Sequence, residues 1–177
     1  VGIFVILYFI GQFGDLAIAG YGTAIRYEQL YLLPVLGLNT AVLAMVGQNY
    51  GAKNIIRVNE IYNKAILYGC SFMFVSGFFI FFTAEFAVSL FTENKEVIKY
   101  GTTYLQITAL MEPIYPIFFI SNALIQGMKK ANIVMFLSLF RMVVLPSSVL
   151  WFLIFYLDSS FSFVFWGLLI INWIFGI

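Results

Sequence analysis

Long stretches of this chain carry no charged residue, among them 29–52, 65–84, 142–157 and 159–177. Each approaches or exceeds the ~20 apolar residues that, at roughly 1.5 Å each, cross a ~30 Å hydrocarbon core. In hydrocarbon no water is present to satisfy a peptide group, so only helices or a closed barrel can span it. Barrel strands alternate in polarity over ~10 residues, and these runs do not alternate. The fold class that follows is all-α: a polytopic transmembrane helix bundle whose first partner is the lipid bilayer. Only 10% of the residues are charged and 63% are hydrophobic. A typical soluble domain is about 25% charged.

Polar interruptions divide the chain into about six spans: 1–12, 22–46, 61–83, 101–126, 131–157 and 161–177. The first and last read as truncated, because the chain opens on "VGIFVILYFI" and closes on "INWIFGI". The expectation is a single membrane domain, 1–177, cut from a longer protein. Orientation follows from Lys and Arg in short loops. Lys53, Arg57 and Lys64 place 47–64 in the cytoplasm, and Lys129 and Lys130 place 127–131 there. In 84–100, Lys95 and Lys99 are outnumbered by Glu85, Glu93 and Glu96, and the turns at Asp15 and Asp158 hold no basic residue. These three lie outside, and the sides alternate as six spans require. "VGQNYGAK" (46–53) and "IQGMKKAN" (125–132) echo one another faintly.

A net charge of +1 suits no nucleic-acid partner. With one Cys and no His, the chain suits neither a disulfide framework nor a zinc or haem site. No phosphate-binding loop of the G-x-x-x-x-G-K-[ST] type is present. The expectation is no enzyme and no cofactor: work would consist of moving something, with energy from an ion gradient. Cys70, in an apolar span without a basic partner, reads as packing.

The polar residues at membrane depth are the functional candidates. "LMEPIYPIFFISN" (110–122) places Glu112 beside Pro113 and Pro116. Each proline withholds the N–H that would bond the carbonyl four residues back, here those of Ala109 and Glu112. On one continuous helix, Tyr104, Thr108, Glu112, Tyr115, Phe119, Asn122 and Gln126 share a face. An ionisable group at mid-span is a functional-site hypothesis by default. Arg141 lies eleven residues beyond Lys130, roughly 16 Å into its span. It reads as a partner of Glu112 or as a structural cation. Pro34 and Pro146 read as kinks with a structural or coupling role, and Asn39 and Thr40 as cavity-lining or interhelical groups. Arg26 and Glu28 read as interfacial charges near the outer end of their span, where long side chains reach water.

At 46–65, "VGQNYGAKNIIRVNEIYNKA", the chain resembles the multidrug and toxic compound extrusion family, the MATE transporters. The resemblance extends through 20–53 and through "ALIQGMKKANIVMFLSLFRMVVLPSSVLW" (123–151), including its Arg and Pro. In that register the chain runs from late span seven into span twelve. It would form a C-terminal lobe whose partner is the absent N-terminal lobe, in a membrane such as the bacterial inner (plasma) membrane. The resemblance implies export of amphipathic, often cationic small molecules in exchange for Na⁺ or H⁺. In several branches an acid on span ten helps bind the cation. Glu112 is the candidate here, about one turn from the family's acidic position, where Tyr115 stands. Together with Thr108, Asn122 and Asn39 it would hold a cation or substrate. Tyr104, Tyr115 and Phe119 would add apolar and cation–π surface. The alternative is a related flippase for a lipid-linked saccharide, to whose headgroup only Arg26 and Arg141 could offer positive charge.

Overall fold

A computed structural model describes residues 2–176. Eight α-helices follow in order: α1 (Gly2–Ile10), α2 (Asp15–Gly51), α3 (Ile55–Ser89), α4 (Lys95–Ala109), α5 (Ile114–Gly127), α6 (Ala131–Leu139), α7 (Leu145–Trp151) and α8 (Phe161–Gly176). Two π-turns, Phe140–Val144 and Phe152–Tyr156, join α6 and α7 into one rod and extend it. Three rods are long and apolar enough to cross a bilayer: α2, α3 and Ala131–Tyr156. α4 and α5 form a fourth span, bent by 59° between them, while Gly2–Phe13 and Phe161–Ile174 are shorter apolar helices. Large apolar side chains such as Phe78, Phe82, Phe136 and Trp151 are exposed on the outside of the bundle, as expected where lipid is the solvent. The protein is an integral membrane helix bundle.

The helices reach further into the polar stretches than charge alone suggests. α2 begins at Asp15 and α3 continues to Ser89, so the connections shrink to 52–54 and 90–94. Local capping accounts for this. The Asn54 side chain accepts from the Arg57 N–H at 3.1 Å, and Asn94 accepts from the Glu96 and Val97 N–H groups. Each satisfies donors that a helix start leaves free. α2 runs through Pro34 unbroken.

The two echoing segments have the same backbone. The N–H of Lys53 bonds the carbonyl of Tyr50, and the N–H of Asn54 that of Asn49. Lys129 and Lys130 repeat the pattern on Gln126 and Ile125. Both are Schellman terminations, with lysine in the left-handed position usually held by glycine (φ 59° and 64°). The segments also meet in space: a Cβ on Gly127 would lie 2.6 Å from Val46 Cγ1. Tyr50, Lys53 and Lys129 line one shared depression. At the opposite end, Phe13, Glu96, Lys99 and Ser160 line another. The two basic turns therefore share one end of the bundle, and the three other turns gather at the opposite end.

Candidate functional site

The site is built around the break at 110–113. Pro113 ends α4 by removing a donor and crowding the Ala109 carbonyl. Two glycines of α3 receive the distorted segment. A Cβ on Gly77 would lie 2.5 Å from the Ala109 oxygen and 3.3 Å from Glu112 Cβ, and one on Gly69 would lie 2.9 Å from Pro116 Cβ. Small residues allow this closeness between membrane helices.

The break divides the expected seven-residue face. Tyr104 and Thr108 stay on α4, Glu112 lies in the turn, and Tyr115, Phe119, Asn122 and Gln126 follow the bent axis of α5. Of the two carbonyls expected to be free, that of Ala109 has no donor among the described residues, whereas that of Glu112 is answered. The Tyr115 N–H donates to the Glu112 carbonyl at 3.3 Å, although Pro116 cannot. The Trp173 indole N–H donates to the Leu110 carbonyl at 3.2 Å, and the Cys70 thiol to that of Pro113 at 3.4 Å. Cys70 thus does more than pack. The break also leaves the Glu112 side chain unanswered. It is 0% exposed, and neither carboxylate oxygen has a hydrogen-bond partner among the described residues.

A second buried carboxylate stands close by. Glu28 is 3% exposed and accepts from the hydroxyls of Tyr104 at 2.5 Å and Tyr115 at 3.1 Å. Tyr104 is held edge-on between Tyr21 and Phe165. Tyr104 and Tyr115 belong to the bent span that carries Glu112 at its break, one on each arm. This corrects the reading of Glu28 as an interfacial charge. Arg26 is exposed while Glu28 is buried, since residues two apart on a helix do not share a face. The missed signal is periodic. Ala17, Tyr21, Ala24, Glu28, Val35, Val42 and Val46 recur at steps of three, four or seven and form the buried stripe of α2. Glu28 is the one acid on it.

No basic side chain answers either carboxylate: the ion pair found among the described residues is Arg57–Glu60, on the exposed first turns of α3. An ionised carboxylate in an apolar interior has a large unfavourable solvation energy unless it is paired. The pair of acids can therefore take up a proton or a small cation, with tyrosine hydroxyls around it.

The other candidates are dispersed. The Thr108 hydroxyl bonds back to the Tyr104 and Leu105 carbonyls and so faces its own helix. Asn39 lies eleven residues beyond Glu28 on α2 and Asn122 ten beyond Glu112, roughly 15 Å away along their helices. Both are half-buried, and Gln126 and Pro34 are exposed. Arg141 does not pair with Glu112. It donates to Asn172 Oδ1 at 3.2 Å and stands 4.0 Å from the Phe118 ring centroid. Together with Tyr115, Phe119 and Pro146 it lines a separate cleft.

Known proteins share this arrangement of helices. A probable multidrug resistance protein, NorM, from Pseudomonas syringae pv. tomato is 27% identical over 174 residues, covering 95% of this chain and 38% of that protein. The MATE transporter ClbM, solved in complex with Rb⁺, superposes with a TM-score of 0.92 at 26% identity, over 99% of this chain and 41% of its own. An outward-facing multidrug resistance MATE family transporter superposes at 0.93 with 21% identity, again over 99% of this chain and 40% of that one. The chain thus spans well under half the length of the relatives it matches. The family profile described as MatE matches residues 1–152. A family match that runs through most of the chain, with the same fold in a solved relative, leads to one assignment: the chain belongs to the MatE family, the MATE transporters.

Proposed function

We propose that this chain is the C-terminal lobe of a secondary antiporter that exports amphipathic or cationic small molecules in exchange for Na⁺ or H⁺. It would work together with a second lobe in a bacterial inner membrane, with 47–64 and 127–131 on the cytoplasmic side. The observation that carries the proposal is the unpartnered, fully buried carboxylate of Glu112. Next to it, Glu28 is held by two tyrosine hydroxyls. Intramembrane acids facing a bundle interior mark ion and proton paths. One ion removes one of the pair's two negative charges, and its loss restores a charge that the interior tolerates poorly. That difference can bias the lobe between two conformations, as coupling requires. The Rb⁺ complex of the relative ClbM supports a cation in this fold. The flippase reading is weaker, because the one guanidinium lining the interior cleft, that of Arg141, falls short of what a pyrophosphate headgroup would need.

The test uses the full-length protein in proteoliposomes, with dye efflux driven separately by a Na⁺ gradient and by a pH gradient. Glu112→Gln and Glu28→Gln should each abolish the ion-driven component while leaving dye binding in place. Unchanged ion-driven efflux in both variants would remove these acids from the coupling step.

A further inference from the structure

Arg141 is a cation with too few acceptors. A guanidinium offers five N–H donors. Nη2 is spent on Asn172 Oδ1 at 3.2 Å, and the ring of Phe118 lies 4.0 Å from the guanidinium carbon. Nη1 is buried with no acceptor among the described residues. Asn172 adds no further acceptor, and its own amide N–H bonds the Leu168 carbonyl at 2.9 Å. Neither buried acid compensates for this: Glu28 is bonded to tyrosines, and Glu112 to nothing among the described residues. A charge at membrane depth is costly until something neutralises it.

The space beside Arg141 is too large and too apolar for a small ion alone. The cleft holds about 590 Å³, with Ile6, Phe118, Phe119 and Met142 among its walls. That volume falls in the range of small-molecule sites, roughly 300–1,000 Å³, where apolar walls hold the body and a few polar groups orient it. The backbone is locally shaped to open it. Pro146 withholds the N–H that an α-helix would aim at the Met142 carbonyl, and residues 140–144 widen into a π-turn. Such turns recur at functional sites. Gly2 of α1 closes on the Met142 carbonyl, where a Cβ would lie at 2.9 Å.

We propose that this cleft binds an amphipath with an anionic headgroup, a phosphate, sulfate or carboxylate. The headgroup sits on Arg141 Nη1 and the apolar body lies along Phe118, Phe119 and Met142. The same chemistry can come from an anionic membrane lipid or from a soluble amphipathic substrate. The site is separate from the Glu28–Glu112 pair, and its test reads binding rather than ion-driven flux.

The experiment uses the purified full-length protein in a neutral detergent, with fluorescence anisotropy of a dye-tagged dodecyl phosphate as the readout. The same dye on dodecyl trimethylammonium is the control. The phosphate probe should bind the more tightly. Arg141→Gln should weaken it by roughly tenfold, the scale of one lost hydrogen bond to a charged group, and leave the ammonium probe unchanged. Arg141→Lys should restore part of the loss. Phe119→Trp fills the cleft without touching its charge, and it should also weaken the phosphate probe. It serves as the deciding variant if Arg141→Gln does not fold. Competition by phosphatidylglycerol nanodiscs but not phosphatidylcholine nanodiscs identifies a lipid headgroup, whereas competition by neither identifies a soluble amphipath. Equal affinity for the two probes in the unaltered protein would overturn the proposal. So would a phosphate affinity that neither Arg141→Gln nor Phe119→Trp changes.

Discussion

The Tyr115 hydroxyl donates to Glu28 Oε1 across 3.1 Å, tying α5 to α2 just beyond the break. The same residue also lines the Arg141 cleft. One residue therefore touches both the acidic pair and the cationic cleft. Tyr115→Phe removes the first relationship and keeps the second. A hydrogen bond to a charged group contributes about 1.5–3 kcal/mol, so the variant should shift the ion concentration that half-drives transport by roughly tenfold or more. Binding of the phosphate probe should stay within about twofold. Flux titration and anisotropy on one preparation check both halves.

Gly77 admits α3 to the break. An added methyl there would meet the Ala109 carbonyl at 2.5 Å, a backbone atom that cannot swing away. Gly77→Ala should destabilise the bundle by about 1–3 kcal/mol, the usual cost of overpacking. Gly37, also in a helix interior, has nothing within 4 Å of an added Cβ. Gly37→Ala should be neutral or stabilise by up to ~1 kcal/mol through helix propensity. Thermal unfolding midpoints of the two variants in detergent should move apart.

Lys53 and Lys129 hold positive φ at their helix ends. A side chain there costs roughly 1–2 kcal/mol, while a cation near a helix C-terminus returns about 0.3–1 kcal/mol. Strain relief is the larger of the two. Lys53→Gly and Lys129→Gly should therefore each raise the unfolding midpoint, and the double variant should raise it further if the sites act independently.

Sidedness is open to direct chemistry. Single cysteines in a Cys70→Ser background at Lys53, Lys129, Glu93 and Asp158 should divide into two pairs. A membrane-impermeant maleimide applied to intact cells should label positions 93 and 158. Positions 53 and 129 should react only after the membrane is opened. Labelling of one residue from each pair would overturn the assigned orientation.

Charge-free length and the placement of Lys and Arg made the bundle legible in the sequence, because both are one-dimensional quantities. Proline spacing marks the Ala109 and Glu112 carbonyls and singles out Glu112 as the acid beside them, but the continuous helix drawn through 101–126 misses the break. The surroundings of Glu112 were not legible either. Counting i−4 carbonyls left the Glu112 carbonyl free, yet the Tyr115 N–H reaches it once the helix turns. Glu28 was assigned to the interface from its distance to the span end. Its place on the buried stripe of α2 was present in the sequence as a three-four-seven rhythm, but a single acid in that rhythm reads as an interruption until a partner is known.

By itself the sequence determined that the chain is a set of membrane helices, which ends of them share a side, and where prolines withhold backbone donors. Each of these follows from local rules: the length of a span, the positive-inside bias, the geometry of proline. Only the tertiary structure decided which polar groups meet. Tyr104 lies 76 residues from Glu28 and Tyr115 lies 87. They converge because α2 packs against both arms of the bent span. The same packing leaves Arg141 to a different cavity, though a straight-helix reading had offered it to Glu112. A bend of 59° rotates side chains away from any face counted along a continuous helix, so the composition of the site depends on how the helices pack.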